Sequence, residues 1–210
     1  MLFVFDWDGT LSDSTSKIVG CMHEAAAEHS LPELADHQVQ NIIGLGLPEA
    51  IQTLYPELPR SGVEAMRASY SNIFIAADQQ PSSFFPNVEE TLDELLHRGH
   101  RIAVATGKSR AGLDRVLHNL QWQDFFHGTR CADETASKPH PKMLHELQRE
   151  FAVEREQMVM VGDTEFDMEM ARRAEVARIA VDYGAHHVDR LKPYDPVLCV
   201  SDFGEILSLG

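Results

Sequence analysis

The chain has 210 residues, 43% of them hydrophobic and 24% charged, enough apolar material for a substantial core and too balanced for a disordered polymer. Its net charge is −15, and its 18 lysines and arginines form no stripe, which excludes a nucleic-acid footprint and argues against an anionic membrane surface. The widely spaced Cys21, Cys131 and Cys199 form neither a CxxC pair nor a Cys/His pair, so they read as buried or half-buried free thiols in a reducing compartment.

The N-terminus has no basic stretch ahead of its short apolar run, and no apolar stretch reaches membrane-spanning length. The expected location is the cytoplasm. Leu2 to Phe5 reads as a strand buried on both faces, and it runs straight into Asp6-Trp7-Asp8-Gly9-Thr10. From about residue 14 to 84 no strand is convincing. Helices are expected over 15–29, 36–43 (Asp36 as N-cap, Gly44 as stop), 48–55 and 61–78. Ala25-Ala26-Ala27 predicts a tight helix contact. After Pro86 an amphipathic helix over 88–98 puts Val88, Leu92, Leu95 and Leu96 on one face and stops at Gly99.

Buried strands are then expected at 102–106, 158–161, 177–181 and 197–200, with helices at 110–120, 139–151 and 165–175 between them. Such alternation means an α/β fold: a Rossmann-like, doubly wound parallel sheet core carrying an inserted, all-helical cap. The expected domains are a core of residues 1–13 and 85–210 and a cap of residues 14–84. The eleven histidines show no metal spacing, and His186-His187 reads as surface loop.

Ligands of an open α/β sheet bind beyond the carboxyl ends of its strands, where Asp6 and Asp8 lie. Residues two apart on an extended strand end share a face, so these carboxylates repel unless a cation lies beside them. They either share a divalent ion, divide labour as nucleophile and acid, or both. Alone, Asp-x-Asp-Gly is also a turn signal. A second apolar run ends at Asp163, with Asp167 four residues on. Two acidic strand ends make an oxygen-rich site suited to Mg²⁺, although Asp163 could instead merely cap a helix. A third strand ends in Thr106-Gly107-Lys108-Ser109, a hydroxyl and free N–H groups where a phosphate could sit. Lys138 precedes a proline-led helix and could neutralise a phosphate oxygen.

Together these stretches resemble the four motifs of the haloacid dehalogenase superfamily: Asp6-Trp-Asp8-Gly-Thr10, Thr106, Lys138 and Gly-Asp163-x-x-x-Asp167. DWDGTLSDS, IIGLGLPEAI and FPNVEETLDEL are most similar to its phosphoglycolate phosphatase-like branch, with Trp7 and Asn87 as departures from a usual Leu or Phe and a common Gly. The resemblance implies a Mg²⁺-dependent phosphatase of a small phosphorylated metabolite. Asp6 would be the nucleophile that forms an aspartyl-phosphate, and Asp8 the acid and base. Asp6, the Asp8 carbonyl and Asp163 would hold the metal, supported by Asp167. Thr106, Gly107 and Lys138 would bind the phosphate.

Gly44-Leu45-Gly46-Leu47 is the expected substrate-facing loop of the cap, or else a helix stop with two packing leucines. Asp8 argues against a dehalogenase, and the absence of lysine between Lys17 and Lys108 argues against a phosphonatase. A sugar-phosphate mutase is disfavoured because the insert's only arginines are Arg60 and Arg67, neither near the 44–47 loop, and a non-catalytic phosphate-binding regulator is the rival of another class. The protein is expected to be a monomer or homodimer.

Overall fold

The computed structural model describes residues 1–209. Six strands form one parallel sheet in the order β3-β2-β1-β4-β5-β6: β1 (Leu2–Phe5), β2 (Arg101–Thr106), β3 (Gly128–Cys131), β4 (Met158–Gly162), β5 (Ala177–Val181) and β6 (Leu198–Val200). The order reverses direction at β1, which pairs with β2 on one side and β4 on the other. That switch point opens a crevice at the carboxyl ends of these strands.

Alternation along the strands explains the two cores. Phe3, Phe5, Ile102, Val104, Val159 and Val161 face α5 (Val88–His97) and α6 (Arg110–Leu120), joined by Leu92, Leu95, Leu113 and Phe203. Leu2, Val4, Ala103, Ala105, Met158 and Met160 face α7 (Lys142–Phe151) and α8 (Glu165–Arg173), meeting Leu144, Leu147 and Met170. Each fully buried Leu, Val, Phe or Met contributes about 1.5–3 kcal/mol.

Asn87 has φ +63°, a left-handed conformation that Gly or Asn enters more easily than other residues, so the departure from glycine keeps the same backbone. Its side chain donates to Asp202 at 2.7 Å.

Between β1 and α5 lie α1 (Thr15–Glu28), α2 (Asp36–Gln40), α3 (Leu47–Leu54) and α4 (Arg60–Ala77). They bury a core of their own around Met22, Ala25, Ala26, Val39, Ile51, Val63 and Met66. Ala25 and Ala26 are buried, while Ala27 is exposed.

Several expectations need correction. The strand β3 lacks an apolar run: it is an edge strand of sequence GTRC, mostly half-buried. The helix expected from 139 begins at Lys142, because Pro141 disfavours helical backbone at His140 before it. Residue Ala35, not Asp36, caps α2, and its N–H donates to Gln38. Cys199 is exposed. A short helix α9 (Val188–Leu191) follows β5.

Candidate functional site

Asp6 extends β1 by one residue, its N–H donating to Val161 O at 3.0 Å. Trp7 turns the other way and meets Phe84 and Phe126 edge-on at 6.0 and 6.1 Å, which anchors the strand end. Gly9, at φ +82°, then reverses the chain; a methyl there would lie 2.2 Å from Asp163 Oδ2. Gly184 presses on the same carboxylate from the opposite loop, again with 2.2 Å to a would-be methyl's nearest neighbour, Asp163 Cβ. Two glycines thus make the space that Asp163 occupies.

Asp163 is fully buried. It accepts from the Thr10 hydroxyl at 2.7 Å and from the Ala185 N–H at 2.7 Å. Thr164, not Asp163, caps α8. The Thr164 hydroxyl and N–H hold Asp167 Oδ2 at 2.6 and 3.1 Å, leaving Oδ1 towards Lys138. Lys138 Nζ lies 2.7 Å from both Asp6 Oδ1 and Asp167 Oδ1, with its side chain wholly buried.

Asp6, Asp163 and Asp167 each present an oxygen within 4.8 Å of the others. Asp167, expected as an outside support, therefore stands in the cluster itself. Three buried carboxylates against one lysine leave an excess of negative charge. Burial and the neighbouring acids hold the Asp6 carboxyl well above its usual range despite Lys138, and burial with Asp167 pushes Asp163 up to about 7. Burial alone would lower the Lys138 pKa, but Asp167 and Asp6 outweigh it and raise the value. Asp6 Oδ1 also accepts from the Trp7 N–H at 2.7 Å, whereas the buried Oδ2 has no hydrogen-bond partner. Clustered acids and an orphan carboxylate oxygen fit a hard divalent cation, whose charge would offset the repulsion.

The Asp8 carboxylate is outside this cluster. It accepts from Ser14 Oγ at 2.6 Å and pairs with Lys108 Nζ at 3.0 Å. The two carboxylates at the end of β1 thus have different cationic partners, Lys138 for Asp6 and Lys108 for Asp8. Both acids line a cleft of about 690 Å³ between the sheet and the helical insert.

Thr106 closes β2, fully buried, and its hydroxyl accepts from the Lys108 N–H at 3.1 Å. Gly107 meets the insert directly: a methyl there would lie 2.4 Å from Leu45 O and 2.8 Å from Gly44 O. Along the same loop, the Gly46 N–H donates to Ser137 Oγ at 2.7 Å, one residue before Lys138. The loop 44–47 lines the cleft, and Leu45 and Leu47 also pack on the core of the insert; α2 ends at Gln40 with Asn41 as its cap, so Gly44 is not its stop.

His186, expected at the surface, is buried. Its Nδ1 accepts from the Glu165 N–H at 3.1 Å, its Nε2 lies 3.3 Å from the insert's Asn41 O, and its ring meets Phe166. Burial and the nearby Arg190 lower its pKa. Sequence reasoning also left Lys108, Thr10 and Ala185 without roles. Thr10 stood inside a recognised motif, and Lys108 two residues after Thr106. Nothing marked the Ala185 N–H, a backbone donor.

The family model "Haloacid dehalogenase-like hydrolase" matches residues 3–181, and the chain belongs to that family. It is 34% identical over 210 residues to "Probable phosphatase IndB" of Dickeya dadantii, covering 98% of this chain and 91% of that protein. It is 28% identical to a phosphoglycolate phosphatase of Vibrio cholerae, covering 99% and 96%. Among solved structures, a predicted phosphoglycolate phosphatase from Haemophilus somnus superposes with a TM-score of 0.89 at 25% identity, covering 99% and 96%. No helix among the described residues is long and apolar enough to cross a membrane.

Proposed function

We propose that the chain is a Mg²⁺-dependent phosphatase of a small phosphorylated metabolite, working through an aspartyl-phosphate on Asp6. The observation that carries this reading is Asp6 itself: it lines the cleft, is fixed through Oδ1 by Trp7 and Lys138, and keeps a buried Oδ2 without a hydrogen bond. Names of the relatives, phosphatases among them, agree with it.

Asp6, Asp163 and Asp167, with the Asp8 carbonyl, are the groups that would hold the ion. When bound, Mg²⁺ would lower the repulsion between the Asp6 carboxylate and a phosphate dianion. The Asp6 carboxylate attacks phosphorus, and the bond from phosphorus to the substrate oxygen breaks. Asp8, with Lys108 3.0 Å from its carboxylate, delivers its proton to the departing alkoxide. A water then attacks phosphorus, Asp8 takes its proton, and the Asp6–phosphorus bond opens to release phosphate. Thr106, the Gly107 N–H and Lys138 bind phosphate oxygens and oppose charge developing in the transition state.

Residues 14–84 act as the cap, and loop 44–47, resting on Gly107 and Ser137, shields the reacting atoms from water. A mutase needs cap cations for a second phosphate, but Arg60 is not among the residues lining the cleft, and Arg67 pairs with Glu64 at 2.8 Å. The test is phosphate release from a panel of phosphomonoesters by the parent protein and Asp6→Asn, with Mg²⁺ and with EDTA. Release only by the parent with Mg²⁺ supports the reading; equal release by the variant removes it.

A further inference from the structure

The cleft above Asp6 and Asp8 says what alcohol the phosphate should be attached to, and this step rests on the phosphatase reading. At about 690 Å³ the space falls within the range of roughly 300–1,000 Å³ typical of sites that enclose whole organic ligands. A two-carbon alcohol would leave most of it to water.

Most of the wall contributed by the insert is apolar. Met22, Ile42, Tyr70 and Phe74 line it, with Tyr70 stacked on Phe74 at 5.8 Å between ring centroids. Ile75 carries the surface outward to the mouth and is 48% exposed, one of only three large hydrophobic residues exposed among the described residues.

The charges of the cleft point the same way. Asp6, Asp8, Glu49, Glu64 and Asp133 line it against Lys108, Arg67 and Arg115. Each of these cations stands beside a carboxylate, Asp8 at 3.0 Å from Lys108, Glu64 at 2.8 Å from Arg67 and Asp78 at 3.6 Å from Arg115, although the buried Arg115 Nε makes no hydrogen bond. A substrate bringing a second anion, as phosphoglycolate does, would enter a cleft lined by five carboxylates and three cations, each of the three already beside an acid. A leaving group with an apolar, ring-sized body would exchange water for Phe74, Tyr70 and Ile75 at no electrostatic cost.

We propose that the substrate is a phosphomonoester whose alcohol carries an apolar, non-anionic body seated on the Tyr70–Phe74–Ile75 wall. The probes are benzyl phosphate, methyl phosphate and 2-phosphoglycolate, each assayed for kcat/KM with Mg²⁺. Benzyl phosphate should exceed both others by at least about tenfold, the scale at which a hydrophobic pocket discriminates. Ile75→Asp, at an exposed position, should cut the benzyl-to-methyl ratio severalfold. Equal values, a preference for phosphoglycolate, or an unchanged ratio in Ile75→Asp would overturn the proposal while leaving the phosphatase reading intact. If none of the three esters is hydrolysed, the phosphatase reading is decided by the wider panel above, and titration calorimetry of benzyl phosphate and phosphoglycolate into Asp6→Asn decides this proposal. Tighter binding of benzyl phosphate supports the apolar seat; equal or weaker binding removes it.

Discussion

Replacing Lys138 with methionine separates what the lysine does for the fold from what the ion does. The side chain is fully buried, and its Nζ stands 2.7 Å from one oxygen of Asp6 and one of Asp167. Methionine has similar length and no charge, so the perturbation is electrostatic rather than a cavity. Three carboxylates within 4.8 Å would remain with no cation among them. Removing one partner of a buried ion pair costs about 3–5 kcal/mol, because the charge left behind is neither solvated nor paired. Urea denaturation in EDTA at pH 8 should show that loss. Saturating Mg²⁺ should restore part of it, about 2.7 kcal/mol when the ion is at a hundredfold its dissociation constant. Phosphate release should fall about 10²–10³-fold even with Mg²⁺, since a donor to the transferring phosphoryl group is gone. A variant as stable as the parent in EDTA, or one gaining nothing from Mg²⁺, would refute the placement of an ion among these acids.

Thr10→Val deletes the buried hydroxyl that donates to Asp163; a hydrogen bond to a charged group is worth about 1.5–3 kcal/mol, so the Mg²⁺ concentration for half-maximal activity should rise at least about tenfold. Lys108→Met leaves the acid cluster untouched but strips Asp8 of its cation, so kcat should drop about tenfold or more while the Mg²⁺ requirement stays put, as an activity titration would show. His186 is held neutral in the fold, below its ordinary value of about 6.5, so the unfolded chain takes up a proton first as pH falls. Stability should therefore decline as pH drops below about 6.5, at up to about 1.4 kcal/mol per pH unit for one proton, and urea midpoints of His186→Gln should follow a flatter slope there.

The fold was legible where burial was two-sided. β1, β2, β4 and β5 announce themselves because both faces of each strand must be apolar, and α5 because its apolar stripe repeats at helical spacing. β3 has one neighbour and exposes part of each face, so Thr129 and Arg130 carry no strand signal. In the candidate site, the motif residues were legible as acids and cations at strand ends, but their pairing was not. Asp8 faces Lys108 because the chain turns at Gly9 and again after Gly107, and no spacing rule encodes that meeting. His186 reads as a solvated loop residue because its burial is made by Phe166 and Asn41, the latter 145 positions away along the chain.

The two hydrogen bonds to Asp163 come from Thr10, near the first residue, and from the backbone at Ala185, late in the chain. During synthesis, then, a growing polypeptide cannot complete this pocket until Ala185 has left the ribosome, long after Thr10 has. Until then the buried acids have no finished enclosure, so capture of an ion there would mark the close of folding rather than guide its beginning.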